Sequence, residues 1–335
     1  EELAMRDLID DHNSLVFSHV STCALISDIV RNFRIEPEII MGYSLGETAG
    51  NFATRTWRER DEMVRRMRRS QLFTTELIGD YNSARRHWQL DAKATIEWAL
   101  GVIHCPAAEV EKIIGDFPQT YVLIENTASE CVIGGNRPQV EALVQRIGKA
   151  FFPLDGVSSV HCPAAVPVAD QYRALHLYDC HPPNGMTFIS SGLGTVIKPE
   201  RDVSADLIEA QCVGRIDFPR CVETAWENGA RVFLELGPRS SMSRMITSVL
   251  ANVSILPARP CFSGKIRTVR WCAFLPISLR KGSLSIFHLF SEPAPFLSLQ
   301  RKSLSAILTL WSATGLTLPG LLPEFCQQKP NRARH

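Results

Sequence analysis

A serine between two glycines, directly after a short apolar run, is the feature that most restricts how this chain can fold. The segment is EIIMGYSLGE, residues 38–47. Its apolar run predicts a buried strand, and residues 47–53 predict a helix. Ser44 must then lie on a sharp turn with its hydroxyl exposed, and glycine at 42 and 46 lets backbone and substrate come close. The first amide groups of the helix point at the same place, where an oxyanion could settle.

A nucleophilic serine needs a base, and the pattern Gly-x-Ser-x-Gly also occurs at ordinary turns. The candidate base is His161, in the segment GVSSVHCPAA. It is expected to end a strand and to precede a helix over residues 166–175, a position from which a side chain points across a cleft. The near-neutral pKa of imidazole suits removal of a proton from serine. A purely structural histidine remains the alternative on this evidence.

The composition is that of a soluble globular chain, with 45% hydrophobic and 21% charged residues among 335. This length allows one large domain or two ordinary ones. The ten cysteines are scattered without a Cys-x-x-Cys pair, which favours a reducing, cytoplasmic compartment over a disulfide framework or a metal site. The start of the sequence lacks the features of a secretory signal, no apolar run is expected to be long enough to cross a bilayer, and no membrane is expected as a partner.

The order of patterns predicts an α/β fold. A hydrolase-like body with a parallel sheet is expected over residues 1–94 and 156–256. Residues 95–155 read as β-α-β-β-α-β, which predicts an inserted ferredoxin-like subdomain. In the body, residues 58–75 predict an arginine-rich helical stretch, and four of its apolar residues should be buried: Met63, Met67, Leu72 and Phe73.

Residues 257–335 differ from the rest of the chain in charge and in hydrophobic pattern. They carry eleven Lys and Arg but two acidic residues, so their formal charge is +9, against −8 for residues 1–256. The segment has no sustained period of either kind, so it predicts a disordered basic tail, a linker or translation in a wrong frame. A basic tail attracts phosphate, but regular aromatic interleaving is missing, so nucleic-acid binding is not expected.

Four segments together resemble the acyltransferase (malonyl-transacylase) domains of fatty-acid and polyketide synthases. They are GYSLGE at 42–47, CVIGGNRPQVEALVQRIG at 131–148, VHCPAA at 160–165 and VFLELGPRSSMSRMI at 232–246. The resemblance covers residues 10–256, and the segments around the serine look most similar to polyunsaturated fatty-acid synthases.

The resemblance implies a Ser-His dyad. Ser44 would attack the thioester of an acyl-CoA while His161 takes its proton, and the acyl group would pass to the phosphopantetheine thiol of an acyl carrier protein. The amide of Leu45 would form half of the oxyanion hole, and Gly42 and Tyr43 would contact the substrate. No bound cofactor is implied, and neighbouring synthase domains such as a ketosynthase are expected partners.

The resemblance also implies an arginine that clamps a malonyl carboxylate about 25 residues beyond the serine. That position is Arg69, with Arg68 as the alternative. A guanidinium binds a carboxylate through two parallel hydrogen bonds, a geometry that lysine does not copy. A solvent-exposed charge cluster is the competing interpretation.

The resemblance also bears on the orientation of the histidine, on the acyl group and on the first strand. Asp217 matches the place from which the family orients its histidine. A helix N-cap is the favoured role of its side chain, and its backbone carbonyl stays open as a partner of His161. Residues 158–161 match neither the usual malonyl nor the methylmalonyl quartet, which leaves the acyl group open. The family's first strand, with a GQG-like turn that completes the oxyanion hole, is expected to be missing.

Two other functions stay open. An α/β-hydrolase-type esterase shares the same elbow but requires an acid between serine and histidine, for which Asp155 is a forced candidate. A degenerate domain that only docks carrier protein or synthase neighbours is the second alternative.

Overall fold

The computed structural model describes residues 12–32, 35–154, 158–236, 241–253, 267–270 and 306–310. Its ten α-helices within these residues are α1 (His12–Asn32), α2 (Leu45–Ala53), α3 (Arg60–Arg69), α4 (Asn82–His87), α5 (Ala107–Ile114), α6 (Arg137–Ile147), α7 (Ala169–Leu175), α8 (Arg201–Val213), α9 (Phe218–Glu227) and α10 (Ser241–Val253). The described strands are β1 (Ile39–Gly42), β2 (Trp98–Ile103), β3 (Thr120–Thr127), β4 (Glu130–Asn136), β5 (Phe151–Pro153), β6 (Thr187–Ser190), β7 (Thr195–Ile197), β8 (Ile216–Asp217), β9 (Val232–Leu236), β10 (Arg267–Arg270) and β11 (Ala306–Leu310).

The larger sheet has the strand order β10-β9-β11-β1-β6-β7 and is parallel except for β7. In β1, Ile39 and Met41 face one hydrophobic cluster and Ile40 faces the other. Helices α9 and α10 cover the first face, and α1, α2 and α3 cover the second. Burial on both faces explains why β1 is a continuous apolar run.

The smaller sheet has the order β5-β2-β4-β3-β8. Its first four strands pair antiparallel, and their order with α5 and α6 is the β-α-β-β-α-β order predicted from the sequence. One face packs on α5 and α6 through a separate cluster that includes Ile103, Val110 and Leu143. The other face, including Trp98 and Leu123, joins the core of the larger sheet. Strand β8 pairs parallel with β3 and ties the chain after residue 158 to this sheet.

Two sequence predictions concern helices that cover the second face of the larger sheet. The four predicted apolar residues of 58–75 are buried, but the helix ends at Arg69 and a π-helical turn, Leu72–Glu76, follows. Helix α1 is long and apolar enough to span a membrane by length and composition alone, although the sequence was expected to contain no apolar run of that length. Several of its apolar residues, such as Val20 and Ile26, are buried in the second cluster, as in a helix of a protein core.

The last part of the chain supplies two described strands where the sequence pattern predicted none. Strand β11 lies between β9 and β1, and β10 lies on the other side of β9. The remaining predictions for residues 257–335 lie outside the described residues.

Candidate active site

The turn that carries Ser44 is held in a strained conformation. Ser44 has φ 55° and ψ −121°, an unfavourable region for a residue with a side chain. The amides of Gly46 and Glu47 donate to the carbonyl oxygens of Tyr43 and Ser44, at 3.0 and 3.1 Å. A Cβ at Gly42 would lie 2.1 Å from the backbone nitrogen of Glu47, so only glycine fits there. Strain of this kind is typical of functional sites.

The tertiary structure brings His161 to this turn. Its Nε2 lies 2.7 Å from Ser44 Oγ, across 117 positions of sequence. Its Nδ1 lies 2.6 Å from the carbonyl oxygen of Gln211. A carbonyl only accepts, so Nδ1 carries the proton and Nε2 is left free to accept from the serine hydroxyl.

Burial keeps this imidazole neutral. His161 is 7% exposed, and burial lowers its pKa to about 4, while the hydrogen bond to Gln211 acts in the opposite direction. At neutral pH the side chain is therefore the uncharged base that proton removal requires. The described residues directly before it, 158–160, do not form the expected strand, and His161 has φ 64° in a loop before the short 3₁₀ helix Pro163–Val168.

The histidine-orienting role expected of Asp217 is wrong in this geometry. The Asp217 carboxylate accepts from the Arg220 amide at 2.9 Å and caps α9, and its carbonyl accepts from the Cys221 thiol. Gln211, near the end of α8, occupies the place beside His161 instead. The sequence offers little signal for this, because the group that matters is a backbone carbonyl, which every residue carries.

The other predicted site residues differ in how close the structure brings them to the pair. Leu45 is the first residue of α2, so its amide has no acceptor within the helix. Tyr43 is buried, and its hydroxyl donates to Asn126 Oδ1 at 2.7 Å. Asn126 donates to Glu130, which also accepts from Arg244 at 2.9 Å, so a polar chain links the elbow to the smaller sheet.

Arg68 and Arg69 lie in the exposed last turn of α3, and the side chain of neither forms a hydrogen bond or ion pair with another described residue. Their neighbour Arg66 instead donates to the carbonyl of Leu177 at 3.0 Å and lies over the Tyr178 ring. Beside the elbow is a cavity that neither Arg68 nor Arg69 lines. Its walls are mainly apolar and aromatic: Val16, Leu45, Thr48, Phe52, Met63, Met67, Phe73, Tyr172, Leu175, His176 and Tyr178.

Solved structures with the same architecture are known. The avermectin loading acyltransferase superposes with a TM-score of 0.60 at 16% identity, covering 73% of this chain and 74% of that one. The malonyl CoA-acyl carrier protein transacylase of Clostridium perfringens gives a TM-score of 0.59 at 16% identity, covering 79% and 77%. The chain has the fold of the synthase acyltransferase domains.

Sequence relatives agree with this fold. Two polyunsaturated fatty acid synthase polypeptides of Thraustochytrium are similar to it, one 23% identical over 70% of this chain and the other 26% identical over 76%. A 6-methylsalicylic acid synthase of Penicillium patulum is 23% identical over 69%. The chain spans 12%, 9% and 12% of these three proteins. No protein-family profile matches the chain. The resemblance to acyltransferase domains of fatty-acid and polyketide synthases is confirmed.

Proposed function

We propose that the chain transfers an acyl group from acyl-CoA to the phosphopantetheine thiol of an acyl carrier protein through an ester on Ser44. The observation that carries this proposal is the 2.7 Å contact between Ser44 Oγ and His161 Nε2, with Nδ1 held by a backbone carbonyl. The likeness to synthase acyltransferase domains supports the same class of reaction.

In the first half-reaction, His161 Nε2 takes the hydroxyl proton as Ser44 Oγ bonds to the thioester carbonyl carbon. The tetrahedral oxyanion is stabilised by the amide of Leu45. It collapses with cleavage of the C–S bond, and the imidazolium returns the proton to the departing CoA sulfur. The products are free CoA and an acyl-serine ester.

In the second half-reaction, the carrier thiol gives its proton to His161 and its sulfur attacks the ester carbonyl. The bond from carbon to Ser44 Oγ breaks, and the imidazolium protonates the serine oxygen. The enzyme is thereby restored, and the acyl group leaves on the carrier protein. Acyl-CoA is a substrate in this scheme, and the route uses no bound cofactor.

Malonyl is the acyl group that we propose, because two arginines lie near the end of α3. Arg69 is the preferred clamp and Arg68 the alternative, and both side chains are exposed and without a described partner that would compete for the carboxylate. The substrate contacts expected of Gly42 and Tyr43 are less well supported, because the backbone of Glu47 fills the space beside Gly42 and the side chain of Tyr43 is buried.

We further propose a hydrolase-like body over residues 1–94 and 156–256 and a ferredoxin-like subdomain over 95–155. The separate basic segment expected over 257–335 is not proposed again, because residues 267–270 and 306–310 are strands of the larger sheet. A carrier protein and other synthase domains such as a ketosynthase are the expected partners, because the relatives are long synthases. A cytoplasmic location fits the cysteines of the described residues, which form no disulfide with one another.

The esterase alternative is less well supported. A hydrolase triad places a carboxylate at the histidine Nδ1, and here the Gln211 carbonyl takes that position. The forced acid candidate, Asp155, lies outside the described residues. A docking-only domain would not require the strained backbone of Ser44 or its short contact with His161.

Intact-protein mass spectrometry after mixing with malonyl-CoA tests the proposal. We expect a malonyl adduct on Ser44 that transfers to pantetheine, none in Ser44→Ala, and an adduct about 10²–10⁴-fold slower in His161→Ala, the usual contribution of a general base. Ser129→Ala, an exposed serine, is the matched control. Labelling that persists in Ser44→Ala excludes this nucleophile, and rapid turnover of p-nitrophenyl acetate to water without transfer supports the esterase.

A further inference from the structure

A buried carboxylate connects the helix that follows Ser44 to the segment that holds His161. Glu47 lies on α2, three positions after the serine, and is 7% exposed. Its Oε2 accepts from the amide of Ser191 at 2.8 Å and from the Ser191 hydroxyl at 2.6 Å. Burial raises the pKa of Glu47, and these hydrogen bonds counteract part of that effect.

The same oxygen atom reaches α8. Gln211 Nε2 donates to Glu47 Oε2 at 3.3 Å. The Gln211 carbonyl accepts from His161 Nδ1 at 2.6 Å, and the carbonyl of the next residue, Cys212, accepts from the His161 amide at 2.6 Å. Both groups that anchor His161 therefore come from the last turn of α8, and the side chain of Gln211 ties this turn to α2.

Regular secondary structure does not fix this arrangement. The last four carbonyls of a helix have no partner within it, so those of Gln211 and Cys212 are free to accept from His161. Helix α8 ends at Val213, and the following glycine is extended. His161 itself lies in a loop with a left-handed backbone. Helix α8 fixes the carbonyl of Gln211 within the helix, but the position of this last turn against His161 depends on tertiary contacts, and the bond from the Gln211 side chain to Glu47 is one of them.

We propose that Glu47 is a positioning residue for the Ser44–His161 pair and acts through Gln211. Its carboxylate holds the Gln211 side chain, which places the backbone carbonyl against His161 Nδ1 and so fixes the tautomer and direction of the imidazole. Glu47 touches neither Ser44 Oγ nor the imidazole in this role. The catalytic consequence rests on the proposed function, whereas the effect on His161 does not.

The chain contains a matched control. Glu235, at the end of β9, is also buried and accepts from the Ser243 amide at 2.8 Å and hydroxyl at 2.6 Å. It has the same kind of partners as Glu47 but stabilises α10 and has no hydrogen bond to Gln211. Comparison of Glu235→Ala with Glu47→Ala therefore separates the effect of losing a buried carboxylate from the effect of losing the link to His161.

An unpartnered atom of Gln211 suggests Glu47→Gln as the conservative variant. Gln211 Oε1 is buried without a hydrogen-bond partner among the described residues. In Glu47→Gln, the new carbonyl oxygen accepts from Ser191 while the new amide donates to Gln211 Oε1 after rotation of the Gln211 amide. We therefore expect Glu47→Gln to keep the link that Glu47→Ala removes.

Two measurements on the full chain test the proposal: the rate of Ser44 acylation by malonyl-CoA per folded molecule, and the NMR signals of ¹⁵N-labelled histidine. In Glu47→Ala we expect acylation slower by about 10- to 100-fold, the scale of a small misplacement, with apparent malonyl-CoA affinity within about twofold, since Glu47 does not contact substrate. The His161 Nδ1–H signal should shift or broaden. Glu47→Gln should restore both, and Glu235→Ala should change neither.

A second variant covers failure of Glu47→Ala to fold. Gln211→Ala keeps the backbone carbonyl and the two Ser191 bonds to Glu47, and we expect it to disturb the same His161 signal. Acylation that falls equally in Glu47→Ala, Glu47→Gln and Glu235→Ala, or an unchanged Nδ1–H signal in both alanine variants, overturns the proposal. If the wild-type chain forms no acyl-serine, the proposed function fails and the NMR comparison alone decides this inference.

Discussion

The two sheets of this protein are assembled in opposite ways. Four strands of the smaller sheet lie within residues 98–153 and pair with neighbours close in sequence. The larger sheet draws strands from residues as distant as 39 and 310. The smaller sheet can close its own ladder locally, whereas the larger one exists only after distant segments meet. The serine and the histidine belong to the part built by distant contacts.

Hydrogen bonds between side chains also differ between the regions of the two sheets. In the larger sheet region, Glu47 and Gln211 connect helices that lie 164 positions apart. The smaller sheet contributes Asn126 and Glu130, four positions apart, which receive the hydroxyl of Tyr43 and the guanidinium of Arg244. The smaller sheet thus behaves as a locally formed support, and the larger one as the scaffold of the chemistry.

The largest expected effect comes from breaking the larger sheet at its middle. Leu308 lies in β11, opposite Ile40 on one side and Leu234 on the other. Leu308→Pro removes a ladder donor from a central strand, so we expect several kcal/mol of stability to be lost, of which the orphaned acceptor supplies about 1–3 kcal/mol. Urea unfolding measures the effect. Val196→Pro, on the exposed edge strand β7, is the control, and equal losses in both variants would place residues 306–310 outside the sheet.

A second test asks whether acyl choice also resides in the larger region. Arg69→Ala should slow malonyl transfer about 10- to 100-fold relative to acetyl transfer, since a hydrogen bond to a charged group contributes about 1.5–3 kcal/mol. Arg68→Ala should have little effect on this ratio if Arg69 is the clamp. Competition between malonyl-CoA and acetyl-CoA measures the ratio directly. Equal losses for both acyl groups argue against a carboxylate clamp.

A third test weakens the smaller sheet alone. Gly135 has φ 149°, and a Cβ there would lie 2.0 Å from the Gln119 carbonyl oxygen. Gly135→Ala should therefore destabilise the protein by more than about 1 kcal/mol, whereas Gly115→Ala, with φ −59° and open space, should stabilise it by about 0.4–1 kcal/mol. Thermal unfolding distinguishes them, and we expect the folded fraction of both variants to acylate Ser44 normally.

The smallest effect per residue concerns pH and belongs to the larger region. Burial is the main cause that lowers the pKa of His19, His161 and His176 to about 4, from 6.5. Between pH 6.5 and 4 the unfolded chain binds more protons than the folded one, so stability falls as pH falls through this window. We expect about 1 kcal/mol per histidine at pH 5.5, measured by urea unfolding, and a smaller loss in His176→Gln. A flat profile would contradict these shifts.

Sequence patterns predicted local structure well where neighbours in sequence are neighbours in space. The four buried apolar residues of 58–75 and the β-α-β-β-α-β order are cases of this kind. The sequence patterns failed where the role of a residue depends on a partner that is remote in sequence. Asp217 caps its own helix, and the carbonyl beside His161 belongs to Gln211. Strand β11 was missed because a short segment in a central position carries little periodic signal.

The sequence by itself determined the elbow. Gly42, Ser44 and Gly46 restrict the turn through contacts within a few residues, and the strand before and helix after it follow from local apolar pattern. Only the tertiary structure decided which nitrogen of His161 faces Ser44 and which carbonyl faces the other nitrogen. Such choices depend on distances between atoms that lie 50 or 117 positions apart, and no local pattern encodes those distances.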